Sequence, residues 1–372
     1  MPINGNGAGP VGQENINTDI ITLSRFFTEE QAKHPQATGD FTYVTAIVVA
    51  PTTALTHNFP SSLLCHALQF AFKSIAYYIR RASLINLGGL AGSSNTTGDD
   101  QKKLDVIGND IVVAALKGSG KCRILVSEEE DKEIVFDAPD ARYAVVCDPI
   151  DGSSNLDAGV SVGTIFGIFQ LPESVVGPGK SVSAKDILLP GTELVASGFT
   201  MYGASAQLVI TMKGGTVNGF TLENSLGEFI LTHPDMQLPA KRSIYSVNEG
   251  NSMYWDDWVK DYFNQLKYPG EGKKPYSARY IGSMVADAYR TLLYGGIFAY
   301  PADSKSKGKL RILYECAPMA QIFENAGGKA VDSRMEPLLS IVPQHIHDKS
   351  GVFLGSRDEI QKVIDTYNKF HK

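Results

Sequence analysis

Apolar residues fall at helical spacing in some stretches of this chain and at strand spacing in others. The clearest helical stripe runs from Leu63 to Ala82, where Leu64, Leu68, Ala71, Ile75 and Ile79 recur every three or four positions. That period predicts one long amphipathic helix. Ahead of it, Asp19 to Leu23 leads into Ser24 to Glu30, read as a short first helix. Residues 1–17 read as a flexible arm. Thr38 to Thr42 offers small polar residues suited to capping and so begins a second helix. Residues 43–62 then break the pattern: they are β-branched, hold Pro51 and Pro60, and have no helical period.

Leu87 to Gly98 is a loop rich in Gly, Ser, Asn and Thr, longer than most connections. A helix carrying Asp105 runs from there to about Leu116, and Cys122 to Val126 reads as a strand. Tyr143 to Cys147, short, β-branched and uncharged, reads as a buried strand, and Val160 to Phe169 as another. A Pro/Gly/Ser loop covers 171–184. Leu194 to Lys213 and Gly219 to Leu231 alternate like antiparallel strands and turns. His233-Pro234 and Pro239 mark a boundary near 232–240, dividing the chain into 18–235 and 236–372. The second part predicts strand Ser243 to Val247, an aromatic-rich helix over 252–267 and strand Tyr280 to Gly282. Helix Ser283 to Tyr294, strand Ile297 to Pro301, helix Arg311 to Asn325 and a terminal strand and helix follow. Strands alternating with helices make this an α/β chain.

Composition narrows the class. Of 372 residues, 43% are hydrophobic and 20% charged, enough for a large core in two domains or one large one. The net charge of −6 argues against general affinity for nucleic acid or anionic membranes. No apolar stretch approaches the roughly 18 residues that span a bilayer. Met1 to Gly12 lacks a signal pattern, and the C-terminus carries no peroxisomal or lipidation signal. Cys65, Cys122, Cys147 and Cys316 show no framework spacing and read as reduced thiols. These features point to a cytoplasmic protein. Arg80-Arg81-Ala82-Ser83 has the form of a basic kinase site, but a solvated helix end accounts for it.

The chemistry concentrates in Asp148-Pro149-Ile150-Asp151-Gly152-Ser153-Ser154-Asn155. A strand delivers two carboxylates three residues apart, Pro149 stiffens the turn, and Gly152 allows close backbone approach to a ligand. The amides after it can open a helix, whose N-terminus favours an anion. Further carboxylates come from Asp99 with Asp105, Glu128 with Glu129, and Glu315. Hard cations take oxygen ligands, and Mg²⁺ is typically held by a few carboxylates and substrate phosphate oxygens. Each pair alone is an ordinary solvated strand end; together they form a constellation suited to phosphoryl chemistry.

The octapeptide with the upstream Glu128-Glu129 resembles the lithium-sensitive, Mg-dependent sugar-phosphatase superfamily. The segments GDDQKKLDV, LVSEEE, VNEG, ARYIGSMVADAYRTLLYGGIFAYP and GKLRILYE narrow the resemblance to the fructose-1,6-bisphosphatase family, closest to its fungal members. It implies a sugar-phosphatase fold of five layers, α/β/α/β/α, in two domains. It also implies 1-phosphate hydrolysis of fructose 1,6-bisphosphate by a metal-activated water, inhibition by AMP and a homotetramer. Roughly two to three Mg²⁺ ions per subunit are implied, with Mn²⁺ or Zn²⁺ as substitutes. The ligands implied are Asp99, Glu128, Asp148, Asp151 and Glu315 with the Ile150 carbonyl, while Asp105 and Glu129 match the residues that activate the water. Gly152, Ser153, Ser154 and Arg311 match the 1-phosphate site; Asn248, Arg279, Tyr280, Tyr300 and Lys309 match the 6-phosphate site, with Gly282, Ser283 and Met284 beside it. In the family that arginine comes from the neighbouring subunit. The AMP site maps to Glu30, Thr38, Gly39, Asp40, Thr42, Arg142, Tyr143 and Met212.

Two positions depart from the family pattern. Asn251 stands where a phosphate-binding tyrosine is common, with Tyr254 as a substitute; Gln170 stands where an AMP-site arginine is expected. Sedoheptulose-1,7-bisphosphatase is the nearest enzymatic alternative, and a non-catalytic sugar-phosphate or AMP-binding regulator the other.

Residues 43–62 fit neither the helix nor the family. Joining Thr42 directly to Leu63 makes one uninterrupted amphipathic helix, so the block reads as a translated intron or gene-model error rather than a lineage-specific loop. Because the helix start carries the implied AMP phosphate site, the block should uncouple or abolish AMP inhibition while sparing the metal site. Titrating AMP against the chain with and without 43–62 checks this: equal solubility and equal sensitivity would make the block a tolerated loop.

Overall fold

A computed structural model of the protein describes residues 19–32, 43–46, 56–59, 62–82, 84–85, 90–94 and 100–371. Three helices precede the first large sheet: α1 (Leu23–Ala32), α2 (Ser62–Arg81) and α3 (Lys103–Ser119). The sheet has eight strands: β1 (Cys122–Ser127), β2 (Ile134–Val135), β3 (Tyr143–Asp151), β4 (Gly163–Gln170), β5 (Leu194–Tyr202), β6 (Ala206–Met212), β7 (Val217–Glu223) and β8 (Glu228–His233). Their order is β8-β7-β6-β5-β4-β3-β1-β2, antiparallel except for the β1/β3 pair. The stripe on α2 buries Leu64, Leu68, Ala71, Phe72 and Ile75 against Phe166, Leu208 and Phe220 of one sheet face, together with α1 and α3.

The other face, through Ile165, Phe199 and Val209, packs on α5 (Met284–Tyr294) and α6 (Ala317–Asn325). Those two helices cover one side of a second sheet, which runs β10-β9-β11-β13-β12. Its strands are β9 (Ile244–Val247), β10 (Ser277–Ala278), β11 (Ile297–Tyr300), β12 (Lys329–Val331) and β13 (Val352–Gly355). On its far side Tyr245, Ile297 and Phe353 meet α4 (Asp257–Lys267) and α7 (Arg357–Phe370). The result is five layers, α/β/α/β/α, each sheet buried on both faces as its unalternating apolar strands require. No described helix is long and apolar enough to cross a membrane.

Several expectations change. Tyr280 to Gly282 is not a strand: the Ile281 and Gly282 amides donate to the Asp287 carboxylate at 3.0–3.2 Å instead of to a neighbouring strand. The helix expected over 252–267 begins only at Asp257, after a 3₁₀ segment, Glu249–Tyr254, that the Asn248 side chain caps. The helix expected from Arg311 opens as a π-helical turn, Ile312–Cys316, and Arg311 itself lies in a two-residue ribbon with Lys349–Ser350. Within the expected loop 87–98, Leu90–Ser94 pairs with Asp100–Lys102. Tyr43–Ala46 and Thr56–Phe59 pair as an antiparallel hairpin ahead of α2. Residues 47–55 and 60–61, together with residues 1–17, lie outside the described residues.

Candidate active site

The β1/β3 parallel pair ends beside a cavity of about 380 Å³. Strand β3 continues past Cys147 through Asp151, held by Thr164 Oγ1 donating to the Pro149 carbonyl at 2.8 Å. Helix α3 comes close because Gly108 has no side chain; a Cβ there would stand 2.9 Å from Ile150 Cγ1. At the strand end Gly152 takes φ 78°, a left-handed conformation that glycine adopts freely, with a 3₁₀ turn, Ser153–Ala158, after it. The same glycine leaves room for Ser283, which an added Cβ would meet at 2.9 Å. The helix that the amides after Gly152 can open is a short 3₁₀ turn.

Oxygens of Asp148, Asp151 and Glu315 lie within 4.8 Å of one another, and all three residues are buried. Asp151 Oδ2 accepts from the Val285 amide at 2.9 Å, so the α5 N-terminus from the second half of the chain supports a carboxylate of the first. Glu315 Oε2 accepts from the Arg311 amide at 2.6 Å, and Arg311 Nη2 pairs with Glu128 at 2.8 Å. Glu128 thus pairs with Arg311 while also standing against Asp148. Asp105 Oδ2 accepts from the Lys102 amide at 2.7 Å at the start of α3.

Burial raises the pKa of every carboxyl in the cluster, because an interior disfavours the charged form. Asp105 and Asp151 rise to about 6 and Glu315 to about 8, burial being the largest cause in each. Asp148 rises well above the ordinary range, first through burial and then through Glu128 and Asp151. Burial works against the Arg311 charge, but Glu315 and Glu128 override it and hold the guanidinium protonated. Like charges this close cannot all be ionised without a counter-charge. Asp148 Oδ1 and Asp105 Oδ1 are buried with no hydrogen-bond partner among the described residues. All-oxygen donors, mutual repulsion and orphaned buried oxygens fit a hard divalent cation.

The same cavity is lined by Glu129, Ile150, Ser153, Ser154, Tyr280, Gly282, Ser283, Met284, Tyr300, Lys309 and Arg311. Asn248 and Arg279 do not line it. Arg279 is exposed, and its Nη1 donates to the Ala278 carbonyl at 2.8 Å. Asn251 Nδ2 donates to Tyr300 Oη at 3.1 Å, whereas Tyr254, the expected substitute, lies beneath Lys305 Nζ at 3.4 Å from its ring centroid. Asp99, Thr38, Gly39, Asp40 and Thr42 lie outside the described residues, as does the side chain of Glu30. Of the implied AMP site, Tyr143 is buried in the first core with Met212 at its edge; Arg142 pairs with Glu173. Gln170 lies opposite Tyr143 across the β3/β4 pair.

Four lining residues were missed: Lys102, Asp287, Phe298 and Leu310. Lys102 reaches Asp157 at 2.7 Å, and the fully buried Asp287 holds the 280–283 loop while pairing with Arg290 at 3.0 Å. The one-turn spacing of Asp287 and Arg290 was the available signal.

Family models of the fructose-1-6-bisphosphatase N-terminal and C-terminal domains match residues 21–234 and 238–368. The chain belongs to the fructose-1,6-bisphosphatase family. It is 52% identical over 372 residues to the fructose-1,6-bisphosphatase of Saccharomyces cerevisiae, covering 99% of each chain. To the cytosolic enzyme of Solanum tuberosum it is 48% identical over 353 residues, covering 94% of this chain and 96% of the relative. The holo form of Leishmania major fructose-1,6-bisphosphatase superposes with a TM-score of 0.81 at 42% identity, over 93% of this chain and 98% of the other. Its T-state form gives 0.78 at 41% identity, with the same coverage. The five layers expected from the resemblance to the family are those of the fold.

The raised carboxyl values make a pH prediction. Unfolded carboxyls titrate near about 4. A folded value above that contributes stability below pH ~4 that is lost as pH rises through about 6 to about 8. The melting temperature of metal-free protein should therefore fall between about pH 5 and 8, and saturating Mg²⁺ should reverse the fall. A flat profile, or one that Mg²⁺ leaves unchanged, would show that the cluster holds no such strain.

Proposed function

We propose that this chain hydrolyses the 1-phosphate of fructose 1,6-bisphosphate, giving fructose 6-phosphate and phosphate, as a cytoplasmic step of gluconeogenesis. The observation that carries the reading is one cavity lined at once by a buried carboxylate cluster and by Tyr280, Tyr300, Lys309 and Arg311. Asp148, Asp151 and Glu315 would hold the cations, with Glu128, Asp99 and the Ile150 carbonyl completing the set. Bound Mg²⁺ supplies polarisation of phosphoryl oxygens and a lowered pKa of water; Mn²⁺ or Zn²⁺ would serve in its place.

The chain's own groups do the rest. Asp105, with its Oδ1 unpartnered among the described residues and a pKa of about 6, is poised to take a proton near neutrality. Glu129 lines the same cavity. The amides of Gly152, Ser153 and Ser154, with the Arg311 guanidinium, are suited to the phosphate being cleaved. Lys309 and the two tyrosine hydroxyls are suited to the distal phosphate, to which Lys brings a point charge. Ser283 and the α5 N-terminus hold Asp151 in place.

A homotetramer is part of this reading. Leu63, Phe70 and Tyr77 are 47%, 64% and 47% exposed at a seven-residue repeat along α2, an apolar stripe that a second copy would cover. Arg279 is exposed and does not line the cavity of its own chain, which suits donation to a partner's 6-phosphate site. AMP is the proposed inhibitor, taken by Glu30, Thr38, Gly39, Asp40 and Thr42 with Arg142, Tyr143 and Met212.

Phosphate release from fructose 1,6-bisphosphate and sedoheptulose 1,7-bisphosphate, with Mg²⁺ present and absent, tests the activity. Preference for the longer sugar would reassign the substrate. Asp151→Ala should lower turnover on the order of 10² to 10³, because it removes a stabiliser of developing charge; activity within about threefold of wild type, with the fold intact, would exclude that role. Arg279→Ala should raise KM well before turnover falls, since the chemistry lies at the other end of the sugar. Collapse of turnover at constant KM would overturn its assignment.

A further inference from the structure

Segment 341–348 supplies none of the residues discussed so far, yet its His347 touches two segments that do. Tyr314 Oη lies 2.8 Å from His347 Nδ1, and the Glu130 carbonyl oxygen lies 3.0 Å from Nε2. A carbonyl can only accept, so Nε2 carries the proton; in a neutral imidazole Nδ1 then accepts, and the Tyr314 hydroxyl donates to it. Burial lowers the ring's pKa and the nearby Arg311 charge acts in the same direction, which keeps the ring neutral.

Both partners belong to carboxylate-bearing elements. Tyr314 is fully buried, packs edge-on against the imidazole at 5.9 Å, and sits in the π-helical turn next to Glu315. Glu130 closes the turn after β1, its amide donating to the Ser127 carbonyl at 3.3 Å, and that turn presents Glu128 and Glu129. From the other side, Asn109 of α3 donates to Glu130 Oε1 and accepts from Ser127 Oγ, both at 2.7 Å. The turn is thus clamped between α3 and the imidazole. Single-turn π segments are frequent at functional sites. Here the segment carries Glu315.

We propose that His347 is a positioning residue for divalent-cation binding: it fixes the separation between the Glu128–Glu129 turn and the Glu315 turn. This rests on the cation reading of the site given above. The fold does not need the imidazole to keep this segment in place. The Ile312 amide donates to the Asp348 carbonyl at 2.8 Å, and Leu310–Arg311 pairs with Lys349–Ser350. Outer-sphere partners of this kind typically change metal affinity by about 10- to 100-fold when removed.

The test measures Mn²⁺ binding to metal-free protein by electron paramagnetic resonance of the free ion, so that no turnover is involved. It is paired with the melting temperature without metal and KM for fructose 1,6-bisphosphate. His347→Ala should weaken Mn²⁺ binding by about 10- to 100-fold and leave KM and the metal-free melting temperature nearly unchanged. His347→Gln should recover most of the loss, because its amide Nε2 can donate to the same carbonyl. Tyr314→Phe, which frees the ring to take either tautomer, should fall between wild type and alanine. Mn²⁺ affinity within about twofold of wild type in His347→Ala, or a glutamine variant no better than alanine, would overturn the proposal. If the alanine variant does not fold, Tyr314→Phe decides, and wild-type affinity there overturns it. A wild-type protein that binds Mn²⁺ but releases no phosphate from the sugar would refute the activity alone; one that binds no Mn²⁺ would refute the cation reading and this proposal together.

Discussion

The repulsion among Asp148, Asp151 and Glu315 is the constraint on which the rest of this structure turns. Three carboxyls within 4.8 Å, all buried, are unfavourable in isolation. Such an arrangement persists only where surrounding elements over-determine it, and here several do. The Val285 amide fixes Asp151, the Arg311 amide fixes Glu315, and the Arg311 guanidinium neutralises part of the charge through Glu128. Each support comes from the half of the chain opposite to the carboxylate it holds, apart from the local Arg311–Glu315 contact. The cluster is therefore a joint between the two sheets as well as a candidate cation site.

The five layers explain why the joint can be rigid. Helices α5 and α6 are sandwiched between the sheets, so a displacement of the α5 N-terminus or of the π-helical turn would disturb the second core on both faces. The first sheet is anchored from outside by α2 and α3. Asp287 plays the corresponding part at the distal end of the cavity. A fully buried carboxylate gathers the Ile281 and Gly282 amides, Ser246 Oγ and Arg290 into one network, and so determines where Tyr280 stands. Burying a charge is costly unless it is paired and hydrogen-bonded, and this one has four partners.

Much of the site was legible because strand ends and glycines leave strong local signals. Tyr143–Cys147 is a short uncharged run that could only be a buried strand, and its carboxylates had to emerge where Gly152 releases the chain. Helix α2 was legible from its stripe alone. Where the reading failed, the deciding interaction was distant in sequence or too local for periodicity. Tyr280-Ile281-Gly282 has strand-like residues, but the Ile281 and Gly282 amides are claimed by Asp287, a side chain on a helix that had not yet begun. The π-helical turn at Ile312–Cys316 differs from an α-helix by one residue in register, which an apolar pattern over so few positions does not reveal. His347 carries no motif, and its importance lies in contacts with Tyr314 and with Glu130, the latter 217 positions away. Asn251 shows the same limit: its partner Tyr300 lies 49 positions further on.

The account's central claim is that the buried carboxylates form a cradle for divalent cations shared by both halves of the chain. A crystal structure of the protein soaked in Mn²⁺, with anomalous differences collected at the manganese edge, tests it most directly. The account predicts a peak bounded by Asp148, Asp151 and Glu315, with the orphaned Asp148 Oδ1 among its ligands. Peaks confined to surface carboxylates, with the three buried groups still packed against one another, would contradict it.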